Sequence, residues 1–412
     1  MQIGTNTDNK FDVIIVGAGP AGAGCARELA RKNHRVLLVE KMMEIGEPNY
    51  STAGTAPETI KEFDIPKNLI YTSWNAIQTS GPNGKYTTVK YDKIIGYSLK
   101  FRELKQFLVK DAIEHGAVTL AETTAKELIY EDNKIIGIKT SGIQGDEQYF
   151  ASVIIDASGA EGIFATKLGL RKNKDIFLGV GIEQIVAGVK CPDRGNTVYI
   201  GFGSKVAPAG YAWMFPMSSS EAKVGIAWMP KDHNNKLDIK SYFYDFLKTY
   251  PGLEKAEPIE NHAHACPMTY GGKMLERYSL DNFICLGDAG AQVNPLFGEG
   301  IRHLLWSGRM AAGVISQAIK TKDFTQKNLS QYDKMWKDYA QKKWQLSTFL
   351  HNILYSSNDE IIENFVSIVP KLRKQTILDI IWYYKKEAIG EVIKNMASSK
   401  IADIKNIFNK IG

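Results

Sequence analysis

The chain has 412 residues, 44% hydrophobic and 23% charged, a composition that excludes a disordered or fibrous polymer. Its length suits two or three domains of roughly 100–200 residues each. The net charge of +6 is uneven, with 15 basic against 10 acidic residues from Thr321 onward, and no recognition motif accompanies it, which argues against nucleic acid.

Residues 1–10 carry no apolar core, which predicts no secretory signal. No stretch approaches the roughly 18 uninterrupted apolar residues of a membrane span. Cys25, Cys191, Cys266 and Cys285 are scattered without a CxxC pair, which argues against a zinc or iron–sulfur site and fits a reducing cytoplasm. The expected metal content is none.

Residues 11–40 read FDVIIVGAGPAGAGCARELARKNHRVLLVE. An apolar strand meets Gly17, Gly19 and Gly22, then a helix, then a second strand ending at Glu40. Gly17 permits the tight turn, Gly19 lets the backbone approach a pyrophosphate, and Gly22 lets helix and sheet pack closely. Glu40 stands where a carboxylate accepts from ribose hydroxyls. This is a Rossmann-like dinucleotide-binding unit with its parts in order.

Further strands are predicted at 118–120, 135–140, 153–156 and 283–286, and helices at 20–32, 102–115 and 300–319. In the last helix Ile301, Leu304, Leu305, Gly308, Ala311, Ala312, Ile315 and Ile319 keep helical spacing. Its small members predict close packing on a sheet. Short apolar runs over 176–230, separated by Gly, Pro, Asn and Ser, predict an antiparallel sheet that lids the cofactor and walls an apolar substrate. Pro251, Pro258 and Pro267 read as punctuation on the way back to the cofactor domain. After 325 the pattern is helical to the end. The basic, aromatic-rich tail reads either as a solvated helical bundle or as a contact for an anionic membrane.

The segment 283–301, FICLGDAGAQVNPLFGEGI, is a buried strand ending in Gly287-Asp288, then a turn with Pro295, Gly298 and Gly300 that opens a helix at Ile301. Asp288 suits a second ribose or ribityl hydroxyl, and the helix N-terminus suits the electron-rich edge of a reduced flavin. With VIIDASG at 153–159, a strand–turn–helix so far from the first unit favours FAD over NAD.

These segments resemble the glutathione-reductase-type FAD proteins of the p-hydroxybenzoate hydroxylase branch. Within it the chain is most similar to the geranylgeranyl reductase family, over roughly residues 10–330. GAGPAG, Glu40, Arg102 in FRELKQFL, DASG at 156–159 and GDAGAQVNPLFGEGI carry the resemblance. The sharpest feature is YAWMFP, where Tyr211, Trp213, Phe215 and Pro216 match a Tyr-x-Trp-x-Phe-Pro signature near the substrate cavity. Halogenases of this fold carry Trp-x-Trp-x-Ile-Pro.

The resemblance implies FAD contacts at Ala21, Glu40, Arg102, Ala125, Asp288, Gly300 and Ile301. It also implies a cofactor turn at Ser51, Thr52, Ala53 and Gly54, with serine where the family has cysteine. The expected fold is α/β plus α+β. A discontinuous FAD domain (10–60, 97–170 and 275–325) carries an inserted antiparallel-sheet substrate domain (61–96 and 171–274), with a helical region at 326–412. The expected protein is cytoplasmic, with contact to the inner face of the cell membrane as a further reading.

Single residues leave alternatives. Arg102 reads as a pyrophosphate ligand or a surface arginine. Tyr211 and Trp213 share one face of a strand and line the cavity or fill core. His262 and His264 alternate without a third ligand nearby, so core is favoured over metal. Cys266 reads as buried rather than reactive, and His303 as near the flavin or simply core. One dinucleotide fingerprint, not two, implies an external donor, either NAD(P)H or a protein such as ferredoxin. The leading expectation is an FAD-dependent reductase of isolated C=C bonds in geranylgeranyl or other isoprenoid chains. The rivals are a flavin monooxygenase or halogenase of the same fold, a lycopene-cyclase-like non-redox isomerase, and a non-catalytic flavin-binding membrane protein.

Overall fold

The structure, a computed structural model, describes residues 9–143, 145–229 and 237–396. In the first strand, Lys10–Val16, Val13, Ile14 and Ile15 are fully buried. A strand apolar on both faces needs neighbours on both edges and cover on both sides. It pairs in parallel with Val36–Val39 and with the end of Gly145–Asp156. Val118–Leu120 and Phe283–Cys285 extend the sheet in parallel on either side. The register sets Val16 against Val39 and Asp156, and Asp156 against Cys285. Four strand ends therefore lie level, and ligands of such sheets bind outside those carboxyl ends. An antiparallel ribbon, Thr123–Glu131 and Lys134–Gly142, hangs from Gly145–Asp156.

The helix Pro20–Ala30 is tied to Phe101–Glu114 through Arg27 and Arg31, which both donate to Asp111. The helix Ile301–Thr321 corrects an expectation, because Gly308 serves packing on another helix rather than on the sheet. A Cβ at Gly308 would sit 2.7 Å from the Ala21 carbonyl oxygen and 2.9 Å from the Cys25 nitrogen. Gly308→Ala is expected to cost about 1–3 kcal/mol by overpacking, read as a lower thermal midpoint of the FAD-loaded protein.

The second sheet has seven strands in the order Glu257–Thr269, Ile176–Ala187, Glu221–Trp228, Ala207–Pro216, Thr197–Gly203, Ala76–Ser80, Tyr86–Lys90. It is antiparallel except where Thr197–Gly203 meets Ala76–Ser80 in parallel. Pro258 and Pro267 lie inside its edge strand, not in a connection. An edge tolerates proline because its outward amides need no partner strand. A three-stranded sheet, Gly54–Thr55, Gly96–Leu99 and Ile70–Trp74, straddles the expected domain boundaries at 60 and 96.

Alternation gives the seven-stranded sheet two different faces. Ala212 and Met214 join Phe243 and Phe246 of the helix Ile239–Thr249, and Tyr250 just after it, in one core. Trp213, with Tyr211 and Phe215 partly buried beside it, belongs to a second core shared with the C-terminal helices. These helices run from Gln326–Tyr355 to Lys386–Asn395, and the rest of the expected helical tail, beyond 396, lies outside the described residues. Among the described residues no helix is long and apolar enough to cross a membrane.

Candidate active site

Three turns and Glu40 meet at the level strand ends. Gly17, at φ +105°, makes the turn that only glycine adopts without strain. A Cβ at Gly22 would lie 2.0 Å from the Gly17 carbonyl oxygen, whereas a Cβ at Gly19 would meet nothing within 4 Å. The helix Pro20–Ala30 begins at Gly19 with no side-chain cap, leaving its first amides for an anion. Ala21 sits in that first turn. Glu40 Oε2 accepts from the Ala18 amide at 2.7 Å and Oε1 from Met42 at 3.0 Å, so the carboxylate also braces the turn. Thr123 donates its amide to the Glu40 carbonyl, which brings the start of the strand holding buried Ala125 beside it.

Across the sheet Asp288 Oδ1 is shielded from solvent and accepts no hydrogen bond, and burial pushes this carboxyl up to about 6. A ribityl hydroxyl would satisfy it. The helix Ile301–Thr321 also starts without a side-chain cap, at Gly300. Free amides, open space at Gly19 and an orphaned acceptor at Asp288 fit FAD. Arg102 stands apart from this set. Its Nε donates to Glu47 at 2.7 Å and Nη2 lies 3.7 Å from Glu260, so a pyrophosphate contact would require an exchange of partners.

Ser51–Gly54, Gly298–Ile301, Tyr211, Trp213 and Phe215 line one cavity of about 740 Å³, counting its open mouth. Pro216 and Pro295 do not line it. The Pro216 carbonyl accepts from Thr72 Oγ1, and the Pro295 carbonyl pairs with His351 Nδ1. A π-helical turn, Asp379–Tyr383, supplies Ile381 and Trp382 to the wall, with no sequence signal that marks it. Ile77, Ile200, Phe297 and Ile381 also border a second hollow of about 560 Å³, counting its open side, between the sheet and the C-terminal helices. Its lining is aliphatic and aromatic apart from Thr79.

Behind the wall lies a pair that sequence reasoning missed. Glu183 is fully buried and accepts from the Trp213 indole at 3.2 Å. Lys223, 2% exposed, donates to the Ser51 carbonyl and sits 4.0 Å from Glu183. Burial pushes Glu183 up to about 7 and lowers Lys223. The pair thus fixes both the indole and the Ser51 turn. Charged residues inside the apolar runs FLGVGIEQIV and EAKVGIAWM were the available signal. Ser51 Oγ accepts from the Ala53 amide at 3.1 Å, so the serine shapes its own turn.

His262 lies 3.0 Å from Glu260, and His264 stacks on Tyr50 with centroids 5.1 Å apart. Burial raises the Cys266 thiol pKa and pushes His264 down to about 4. The unfolded chain takes a proton near 6.5 that folded His264 refuses until about 4, so stability falls as pH drops through that window. His264→Phe is expected to spare about 2 kcal/mol of the loss between about pH 7 and pH 4.5, measured by urea unfolding at both.

A model of FAD dependent oxidoreductases matches residues 12–171, and a model of the geranylgeranyl reductase catalytic domain matches residues 179–265. The digeranylgeranylglycerophospholipid reductase of Haloferax volcanii is 30% identical over 383 residues, covering 89% of this chain and 90% of that protein. The chain belongs to the geranylgeranyl reductase family. It is an FAD-dependent oxidoreductase. The digeranylgeranylglycerophospholipid reductase of Thermoplasma volcanium is 28% identical and covers 94% of this chain and 98% of its own. A solved geranylgeranyl bacteriochlorophyll reductase-like protein of Thermoplasma acidophilum superposes with a TM-score of 0.84 at 25% identity, covering 97% of this chain and 99% of its own. A flavin-dependent brominase, Bmp2, shares the fold alone, with a TM-score of 0.72 at 17% identity over 97% of this chain and 98% of its own.

Proposed function

We propose that the protein reduces isolated carbon–carbon double bonds of isoprenoid chains, with a digeranylgeranylglycerophospholipid as the substrate its relatives' name points to. The observation that carries this reading is the apolar hollow that adjoins the cavity of Tyr211, Trp213 and Phe215 through the shared walls Ile77, Ile200, Phe297 and Ile381. FAD, when bound, supplies the hydride for one alkene carbon. An unactivated alkene offers little to polarise, so the chain's residues act mainly by positioning and by excluding water. In this reading Gly17, Gly19, Ala21, Gly22, Glu40 and Ala125 hold the adenosine and pyrophosphate end, and Arg102 joins them by exchanging its Glu47 pairing. Ser51, Thr52, Gly54, Asp288, Gly298, Gly300 and Ile301 hold the flavin end, with Pro295 shaping their turn.

The absence of a second glycine fingerprint in the sequence supports an external donor, NAD(P)H or ferredoxin. The basic C-terminal helices support contact with the inner face of the membrane from the cytoplasm. The division into FAD domain, inserted sheet domain and helical region is part of the same proposal. Stopped-flow mixing of the anaerobically reduced protein with geranylgeranyl-bearing lipid tests the reading. The expected result is flavin reoxidation that depends on lipid concentration. Reoxidation only by oxygen, whatever prenyl lipid is added, overturns it and favours a monooxygenase.

A further inference from the structure

Among the described residues lining the cavity one carries a carboxylate, Glu299. It stands between Gly298 and Gly300 at the entry to the helix Ile301–Thr321. Its side chain is 9% exposed, and Oε1 is shielded from solvent with no hydrogen-bond partner. Leaving such an atom bare costs about 1–3 kcal/mol, more for a charged group, which points to a use for it. The other oxygen is held in place. His303 Nε2, one helical turn on, lies 2.7 Å from Oε2 and makes no hydrogen bond there in this arrangement. Tyr384 donates its hydroxyl to Oε2 at 3.4 Å.

His303 is 2% exposed and its Nδ1 pairs with the Tyr339 hydroxyl at 2.8 Å. Tyr339 is half-buried on the helix Gln326–Tyr355, and the Lys343 ammonium sits 3.3 Å over its ring. A file of proton-bearing groups therefore runs from the cavity wall towards the outside. Two other ionisable groups at this wall are committed. The Tyr211 hydroxyl donates to the Phe297 carbonyl at 2.5 Å, and Glu183 lies behind the wall, bonded to Trp213.

We propose that Glu299 is the acid that protonates the alkene, resupplied through His303 and Tyr339. The proposal rests on the reductase reading. In the step the Glu299 O–H bond breaks, and the π pair of the double bond forms the new C–H bond on one carbon. The other carbon, left short of an electron pair, takes a hydride, which with its two electrons reduced FAD held at Ser51, Gly300 and Ile301 would supply. A turn of the His303 ring that aligns Nε2–H with Oε2, 2.7 Å away, returns a proton to the Glu299 carboxylate, and Tyr339 relays its replacement from solvent. A carboxylate beside the reacting carbons also favours the positive charge that develops there.

The test uses the FAD-loaded full chain and two probes, a tertiary amine bearing prenyl arms and a saturated prenyl alcohol. The protonated amine imitates the developing charge, so it should bind the native protein about 10-fold or more tighter than E299Q. The neutral alcohol should bind both alike. Alkene reduction should fall about 100-fold or more in E299Q, with flavin content and reduction by dithionite unchanged. Tyr339→Phe should keep the amine affinity and enlarge the solvent deuterium effect on alkene reduction. Equal amine binding by E299Q, or alkene reduction at the native rate, overturns the role of Glu299. An unchanged solvent effect in Y339F overturns the relay. A native protein that neither binds the alcohol nor reduces any prenyl alkene would instead bring down the reductase reading.

Discussion

Gly19→Val is expected to remove flavin binding while leaving the apoprotein folded. The first half follows from the level strand ends and the uncapped helix at Gly19, which leave amides and open space for a pyrophosphate. The second half follows from two observations. A Cβ at Gly19 meets no atom within 4 Å, and its φ of −67° and ψ of 175° suit any residue. The valine would occupy space that the pyrophosphate needs. FAD affinity should fall about 100-fold or more, about 3 kcal/mol, in a fluorescence titration, while thermal unfolding of the apoprotein stays near native. Gly22→Val is the contrast, because its Cβ would lie 2.0 Å from the Gly17 carbonyl oxygen. That variant should lose stability as well as flavin.

Lys223→Met is expected to cost about 3 kcal/mol of stability, because it strips a buried carboxylate of its cation. Lys223 Nζ is 4.0 Å from Glu183 and also holds the Ser51 carbonyl. The Glu183 carboxyl already sits near 7, so it can neutralise, which keeps the loss at the low end of the usual range. A double variant, K223M with E183Q, should lose less than the sum of the singles, since the amide oxygen still accepts from Trp213 and no buried charge remains. Urea unfolding of the FAD-loaded forms reads both effects. The single variant should also loosen the Ser51 turn and lower flavin affinity.

The cofactor half of the fold was readable because its signals are local. Strand, Gly17, Gly19, Gly22, helix and Glu40 follow one another within thirty residues of sequence. The same holds for the turn from Asp288 to Ile301. The alternation of Tyr211, Trp213 and Phe215 against Ala212 and Met214 placed three aromatic rings on one face, and the cavity lies on that face. What stayed hidden depends on distant pairing. Ala76–Ser80 finds its partner strand at Thr197–Gly203, more than a hundred residues away, and no local pattern specifies that. Pro258 and Pro267 looked like breaks because their tolerance comes from lying at a sheet edge. Gly308 looked suited to a sheet because small residues say that something is close without saying what. Glu183 and Lys223 sit on neighbouring strands, so their partnership exists only after the strands pair. Glu299 and His303 were different, since four residues apart at a helix start is a readable pairing.

A single anaerobic turnover followed by mass spectrometry of the lipid decides whether the protein reduces isoprenoid double bonds. The protein is loaded with FAD, reduced with dithionite, freed of excess reductant and mixed with a geranylgeranyl-bearing glycerophospholipid. The lipid is expected to gain two hydrogens for each flavin oxidised, within its isoprenoid chains. Oxidised flavin with an unchanged lipid mass, or a lipid that gains oxygen once air is admitted, would contradict it.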